Sequence, residues 1–291
     1  MTTVAEWVEG ARPRTLPAAF SPVIAGTGIA AATGGVAVVP ALLALVVSVA
    51  LQIGVNYAND YSDGIRGTDA DRVGPMRLVG SGAAPAATVK RAAFACFAVA
   101  AVAGLVIVVI TQLWWLLAVG VACILAAWFY TGGTHPYGYH GLGEVFVFVF
   151  FGLVAVCGTT LVQTGGIGWA ALGAAVAVGA LACAILVANN LRDLAGDRES
   201  GKRTLATRLG DRGTRAFYLG LLLLAAAAIV TVATLVSWWC LLGLAFALVC
   251  LPAIRVVLRG GVGRDLITVL KVTGIAELVA AVGMAVGCLL L

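Results

Sequence analysis

The chain has 291 residues, of which 62% are hydrophobic and only 11% are charged. A soluble domain of this length would carry about 25% charged residues, so the composition excludes a soluble globular protein and indicates a polytopic, all-α membrane protein. The net charge of +5 predicts no nucleic-acid partner, because membrane topology accounts for the basic residues.

The first residues predict a short helix that lies against the lipid headgroups. Trp7 and Val8 stand between two acids, Glu6 and Glu9, ahead of any basic residue. Such an amphipathic start is typical of an interfacial helix. No short apolar core precedes a small-residue cleavage site, so we expect no cleavable signal peptide.

Hydropathy and turn residues then predict nine transmembrane helices. A transmembrane helix needs roughly 20 predominantly apolar residues. The nine segments that meet this need lie at about 15–33, 40–59, 92–111, 113–130, 144–163, 169–189, 215–235, 238–254 and 266–289. We expect the whole chain, residues 1–291, to form one transmembrane domain.

The basic residues all fall on one side of this predicted topology. No charged residue occurs in the short connections at Gly34–Pro40, Gln112–Leu113, Gly165–Gly168 and Ser237–Trp239. All 18 Lys and Arg residues lie in the N-terminal segment and the other connections. The positive-inside rule therefore predicts a multi-pass protein of the plasma (cytoplasmic) membrane with a cytoplasmic N-terminus, and nine spans put the C-terminus outside.

Two acidic motifs follow the second and sixth predicted spans. The first motif comprises Asn56, Asp60 and Asp63, followed in the loop by Asp69 and Asp71. The second motif comprises Asn189, Asp193 and Asp197. Spacings of three and four residues place the members of each motif on one helix face. An ionised group near hydrocarbon costs roughly 2.5–3.5 kcal/mol, so acids in such places require a counter-ion or a metal.

These carboxylates favour a magnesium site. Mg²⁺ binds through one or two carboxylates and completes its shell with water and substrate phosphates. Two motifs therefore predict two or more Mg²⁺ ions that clamp one diphosphate, and the alternative is that the acids simply pair with neighbouring arginines. The candidate metal ligands are Asp60, Asp63, Asp69, Asp193 and Asp197.

A diphosphate site inside a bilayer also suggests a hydrophobic co-substrate, and a polyprenyl diphosphate meets both requirements. Basic residues beside the motifs would add positive charge for the diphosphate. The candidate substrate-binding residues in and beside the motifs are Asn56, Asn59, Asn189, Arg66, Arg72, Lys202 and Arg203.

Both motifs, Asn56–Gly64 and Asn189–Asp197, resemble the Asp-rich motifs of the UbiA-type intramembrane aromatic prenyltransferases. Further stretches resemble the branch of that superfamily that prenylates 1,4-dihydroxy-2-naphthoate in menaquinone synthesis. These stretches are Ala11–Pro17, Asp71–Arg77, Tyr130–Gly133, Gly141–Glu144 and Gly201–Gly210. The resemblance implies nine helices around a central cavity, with cytoplasmic cap loops at about 60–91 and 190–214. It also implies Mg²⁺ bound by both motifs, and a reaction that yields demethylmenaquinone, diphosphate and CO₂.

The first motif departs from the superfamily pattern. That pattern is Asn-x-x-x-Asp-x-x-x-Asp, whereas here Asp63 follows Asp60 by only three residues. The sequence therefore leaves open whether Asp63 or Asp69 completes the first metal site.

Departure of diphosphate would leave an allylic cation, which the π-face of an aromatic ring stabilises. Tyr130, Tyr137, Tyr139 and Tyr61 lie near cytoplasmic helix ends, where a place in the interfacial aromatic belt is the alternative. Tyr130 is the preferred catalytic candidate because it precedes a Gly-Gly break. Glu144 opens the fifth span, where an acid suits the helix dipole, and is a further catalytic candidate.

Three other functions remain as alternatives. A related prenyltransferase would act on another acceptor such as 4-hydroxybenzoate, haem or homogentisate. A CDP-alcohol phosphotransferase would need Ala-Arg after Asp60-Tyr-Ser-Asp63-Gly64, whereas here Arg66-Gly67 stands in its place at the wrong offset. A cation-coupled transporter would carry its acids near the membrane midplane rather than at one face. The sequence fixes neither the prenyl length nor the oligomeric state, and a homo-oligomer is one of the arrangements left open.

Overall fold

A computed structural model describes residues 2–67 and 76–290. Over these ranges the chain forms twelve α-helices joined by loops and short 3₁₀ turns. The helices of the first half are α1 (Val4–Gly10), α2 (Pro17–Thr33), α3 (Val38–Arg66), α4 (Ala86–Thr111) and α5 (Leu116–Phe129).

The second half continues in the same all-helical manner. α6 (Gly143–Val147) runs through a π-helical segment (Phe148–Cys157) into α7 (Gly158–Thr164). The remaining helices are α8 (Trp169–Arg192), α9 (Leu194–Glu199), α10 (Leu205–Leu235), α11 (Ala245–Leu258), which follows a 3₁₀ turn at Trp238–Leu244, and α12 (Arg264–Leu289).

Seven helical segments among the described residues are long and apolar enough to cross a membrane, so the chain is a multi-pass membrane protein. The number rises to eight if the segment Val4–Thr15 and α2, which meet at a bend of 50°, form one span. The predicted span at 113–130 corresponds to α5, which has only 14 residues. At 1.5 Å per residue α5 is about 21 Å long, shorter than a hydrocarbon core of about 30 Å. The count of nine spans therefore stays a prediction.

The helix predicted around Trp7 is present as α1. Its start carries a capping box, in which the Glu6 backbone N–H donates to the Thr3 hydroxyl and the Thr3 backbone N–H donates to the Glu6 carboxylate. The Tyr57 hydroxyl of α3 donates to the Trp7 carbonyl oxygen at 2.9 Å. This bond fastens α1 across the end of α3 that carries the first acidic motif.

Small residues let the spans pack closely around α8, which is the most buried of the seven. A Cβ placed on Gly152 would lie 2.8 Å from the Gly179 Cα, so no larger side chain fits at that crossing. Close approach of this kind drives helix association in lipid, where the hydrophobic effect contributes little. α8 also packs on α10 and α12, while α3 packs on α4. The space between these two groups of helices forms the cavity described below.

Five tryptophans mark one end of the bundle. Trp114, Trp115, Trp169, Trp238 and Trp239 are exposed and adjoin the connections that lack charged residues. Tryptophan concentrates where a membrane meets water. These side chains therefore identify the interface opposite to the acidic motifs.

Candidate active site

A cavity of about 1050 Å³ runs along the bundle between α2, α3, α4, α5, α7, α8 and α12. Its mouth is lined by Asp63 and Asp193, whereas its far end is lined by Ala44, Leu116 and Val162. Asp63 follows Ala44 by 19 positions, which correspond to roughly 28 Å of helix. The cavity is therefore a charged mouth above a long apolar chamber.

One wall of the mouth is formed by α3 through Asn59 and Asp63, both of which line the cavity. Asn59 Oδ1 accepts a hydrogen bond from the Thr131 hydroxyl at 2.7 Å. Asp63 Oδ1 accepts one from the Tyr139 hydroxyl at 2.5 Å, and Asp63 Oδ2 lies 3.6 Å from Arg77 Nη2. The two side chains are thus oriented by loops that converge on the mouth.

Asp60, which is predicted as a metal ligand, does not line the cavity. It is 1% exposed, and its two oxygens accept the backbone N–H groups of Leu78 and Val79 at 2.7 and 3.0 Å. Asn56 does line the cavity, but its amide donates to the Ala11 carbonyl oxygen at 2.9 Å. On α3 the pair at the mouth is therefore Asn59-x-x-x-Asp63.

The opposite wall comes from the end of α8 and from α9. Asn189 lies in α8, Asp193 lies between the two helices and Asp197 lies in α9, and all three line the cavity. Arg192 Nε and Nη2 donate to the two Asp193 oxygens at 2.7 and 2.8 Å. The same Nη2 donates to Asn189 Oδ1 at 2.9 Å. Lys202 Nζ lies 3.9 Å from Asp197 Oδ1. Each of these carboxylates therefore has a cation beside it.

The donor set of the mouth fits Mg²⁺ ions that bridge protein and substrate. In the part of the chain that the structure describes, no three His, Cys, Asp or Glu side chains come together as a ready-made metal site. Each wall instead offers an amide oxygen and one or two carboxylates, which suits an ion that keeps waters and substrate oxygens as ligands. Asp69 and Arg72, predicted as a metal ligand and a substrate-binding residue, lie outside the described residues.

Two of the predicted basic residues support the mouth rather than line it. Arg66 donates through Nη1 to the Thr131 carbonyl oxygen and through Nη2 to that of Gly133. The Arg203 backbone N–H donates to the Tyr139 carbonyl oxygen at 2.9 Å. Neither Arg66 nor Arg203 lines the cavity, whereas Lys202 does and lies 4.5 Å from the centre of the Tyr139 ring.

Two of the four predicted tyrosines form an aromatic wall below the charged mouth. Tyr130 and Tyr137 both line the cavity, and their ring centres are 5.5 Å apart in an edge-to-face arrangement. The Tyr137 ring stacks on Phe146 at 3.9 Å, and its hydroxyl donates to the Ala126 carbonyl oxygen. Tyr61 does not line the cavity and stacks on Trp128 instead.

Glu144 lies behind the cavity wall rather than in it. Its side chain is buried, and its Oε1 accepts a hydrogen bond from Asn190 Nδ2 at 2.9 Å. Asn190 itself lines the cavity. Glu144, which is predicted as a catalytic candidate, thus reaches the cavity through Asn190, and its position suits a residue that orients Asn190.

Several cavity residues were not singled out from the sequence. Besides Lys202, five basic residues among the described ones line the cavity, namely Arg12, Arg14, Arg77, Arg192 and Lys271. The positive-inside rule alone accounts for basic residues near span ends, so their positions in the sequence do not indicate an additional function. Two signals were available: Arg192 stands inside the second motif, and Arg77 ends the stretch Asp71–Arg77 quoted for the family resemblance.

The profile of the UbiA prenyltransferase family matches residues 19–287. The chain belongs to the UbiA prenyltransferase family. The 1,4-dihydroxy-2-naphthoate octaprenyltransferase of Mycobacterium tuberculosis is 55% identical over 286 residues, which cover 98% of this chain and 97% of that protein. The resemblance inferred from the two motifs is thus confirmed.

Solved structures agree with this family fold. The apo UbiA homologue of Aeropyrum pernix K1 superposes with a TM-score of 0.71 at 16% identity, covering 94% of this chain and 97% of that one. The UbiA homologue of Archaeoglobus fulgidus, solved with DMAPP and Mg²⁺ bound, gives a TM-score of 0.66 at 15% identity, covering 96% and 98%. At these identities the likeness establishes the fold.

Proposed function

We propose that the protein transfers a polyprenyl group from a polyprenyl diphosphate to 1,4-dihydroxy-2-naphthoate in a Mg²⁺-dependent reaction. The products are demethylmenaquinone in its reduced quinol form, diphosphate and CO₂. The observation that carries the proposal is the cavity in which two acidic walls stand above a long apolar chamber. The 55% identity to a naphthoate octaprenyltransferase over nearly the whole chain supports the choice of acceptor.

The diphosphate would lie between the two walls of the mouth. Asn59 and Asp63 would hold Mg²⁺ on one side, and Asn189, Asp193 and Asp197 would hold it on the other. When bound, two or more Mg²⁺ ions would neutralise the charge of the departing diphosphate. The cations now beside these carboxylates, such as Lys202 at Asp197, would then be released toward the phosphate oxygens.

The prenyl chain would extend down the apolar chamber, with its reacting carbon beside the aromatic wall. Tyr130 and Tyr137 would face the allylic cation with their π-electrons. The electron-rich ring carbon of the acceptor then forms the new C–C bond, and loss of CO₂ restores the aromatic ring. Exclusion of water by the chamber walls prevents capture of the cation as the free prenol.

We further propose nine spans in the plasma membrane, with α5 as the short fourth span. The charge-free connections would face outward together with the C-terminus, and the acidic motifs would face the cytoplasm. The exposed tryptophans beside the charge-free connections support this arrangement. The distribution of Lys and Arg supports it independently.

The test is a direct assay with the protein purified in detergent. Octaprenyl diphosphate and 1,4-dihydroxy-2-naphthoate labelled at the carboxylate should yield demethylmenaquinone and labelled CO₂ in equal amounts, and EDTA should abolish both. 4-Hydroxybenzoate serves as the competing acceptor. Preferential prenylation of 4-hydroxybenzoate would contradict the proposed acceptor, and activity unaffected by EDTA would contradict the metal requirement.

A further inference from the structure

We propose that Asp60 is a positioning residue, which holds the segment Met76–Val79 on α3 and so places Arg77 in the mouth to bind the diphosphate. The inference rests on the proposed function, since it assumes a diphosphate substrate. It assigns to Asp60 a task different from the metal binding that its place in an acidic motif predicts.

The contacts of Asp60 are those of an anchor. Its two oxygens accept hydrogen bonds from two consecutive backbone N–H groups, Leu78 at 2.7 Å and Val79 at 3.0 Å. Successive N–H groups that converge on one anion form a compact anion-binding arrangement. Both carboxylate oxygens of Asp60 are therefore satisfied by donors from within the protein.

Packing around the same segment leaves it little freedom. A Cβ on Gly64, one turn after Asp60, would lie 2.4 Å from the Val79 side chain, so the segment lies directly on α3. Leu78 is fully buried, and a Cβ on Gly10 of α1 would lie 2.6 Å from its Cδ1. Leu78 is therefore held between α1 and α3, with Asp60 satisfying its backbone N–H.

Arg77 immediately precedes this anchored pair. Its Nη2 lies 3.6 Å from Asp63 Oδ2, and its side chain lines the cavity. A guanidinium in this place matches the geometry of phosphate oxygens and can bind them through two N–H groups. Because Arg77 is fixed through the backbone that Asp60 holds, loss of Asp60 should weaken diphosphate binding without touching the metal ligands.

The experiment compares Asp60→Asn with Arg77→Met. In Asp60→Asn one oxygen that accepts a backbone N–H is replaced by an NH₂ group that faces it. Each variant should raise the KM for polyprenyl diphosphate about ten- to a hundredfold, the range expected for a lost hydrogen bond to a charged group. The Mg²⁺ concentration for half-maximal rate, measured at saturating substrates, should stay within about twofold of wild type. The double variant should be no worse than either single variant, because both act through one contact.

Two further variants make the result decisive. Val79→Pro removes one N–H donor and leaves the Asp60 carboxylate intact, so it should reproduce the KM effect even if Asp60→Asn does not fold. Asp63→Asn is the positive control, for which the half-maximal Mg²⁺ concentration should rise or activity should vanish.

Three outcomes would overturn the inference. They are a Mg²⁺ shift in Asp60→Asn as large as in Asp63→Asn, additive effects of Asp60→Asn and Arg77→Met, or an unchanged KM in Val79→Pro. All measurements can be made with whichever aromatic acceptor the wild-type enzyme uses. Failure of the proposed acceptor would therefore be distinguishable from failure of this inference.

Discussion

Gly158 offers a test of where the prenyl chain lies. It lines the cavity on α7, and a Cβ placed on it would meet no atom within 4 Å. It follows Glu144 by 14 residues, so it stands roughly 21 Å along the helix from the level of the aromatic wall. In Gly158→Phe the new ring should project into the chamber and close its lower part, while the mouth stays unchanged.

The size of the effect follows from the length of the substrate. A geranyl group occupies only the upper chamber, so kcat/KM for geranyl diphosphate should change by less than about twofold. In Gly158→Phe an octaprenyl group must either clash with the new ring or leave the chamber. Overpacking costs about 1–3 kcal/mol, which corresponds to a loss of about 5- to 150-fold in kcat/KM.

The assay measures kcat/KM for both diphosphates with the same acceptor in the same detergent. Gly220→Phe is the matched control, because Gly220 also lies within a span and has open space at its Cβ, but does not line the cavity. It should leave both values unchanged. Equal losses for the two diphosphates in Gly158→Phe, or no loss for either, would refute the assignment of the chamber to the prenyl chain.

Three further predictions concern the mouth and the topology. Asp193→Asn should reduce diphosphate release below about a tenth of the wild-type rate, because loss of one metal clamp should cost several kcal/mol of leaving-group stabilisation; a higher residual rate would argue against a two-sided site. A membrane-impermeant thiol reagent should label Gly166→Cys from outside and Lys202→Cys only from the cytoplasm, and labelling of both from one side would remove the nine-span arrangement. Lys202→Met should raise the KM for a charged substrate and the fraction of free prenol, whereas Arg212→Met, which lies outside the cavity, should change neither.

Local sequence determined the architecture of this protein to a large extent. Long apolar runs can satisfy their backbone groups in lipid only as helices, so spans such as α4 and α8 follow from composition and length. The second acidic motif also follows from the sequence, because Asn189, Asp193 and Asp197 recur every four residues. All three line the cavity, although Asp197 lies in α9 and not in α8. The sequence likewise predicts a catalytic place for Tyr130, an aromatic residue at a helix end, and Tyr130 lines the cavity.

The first motif shows what sequence could not determine. Asn56 and Asp60 are four residues apart, and so are Asn59 and Asp63, so helical periodicity favours both pairs equally. Only the packing of α3 against the loops that follow α3 and α5 decides between them. The Leu78 backbone N–H donates a hydrogen bond to the Asp60 carboxylate, whereas Asn59 and Asp63 line the open cavity.

Tertiary structure also decided which contacts two further residues make, since the sequence indicates only where they stand relative to the helices. Glu144 stands at a helix start in the sequence, but the approach of α8 places Asn190 between it and the cavity. Arg77 looks like one more cytoplasmic base, yet its segment folds back on α3 and brings it to Asp63. Sequence fixes which groups a helix end can present, because that depends on periodicity; which of them meet a substrate depends on contacts between segments far apart in the chain.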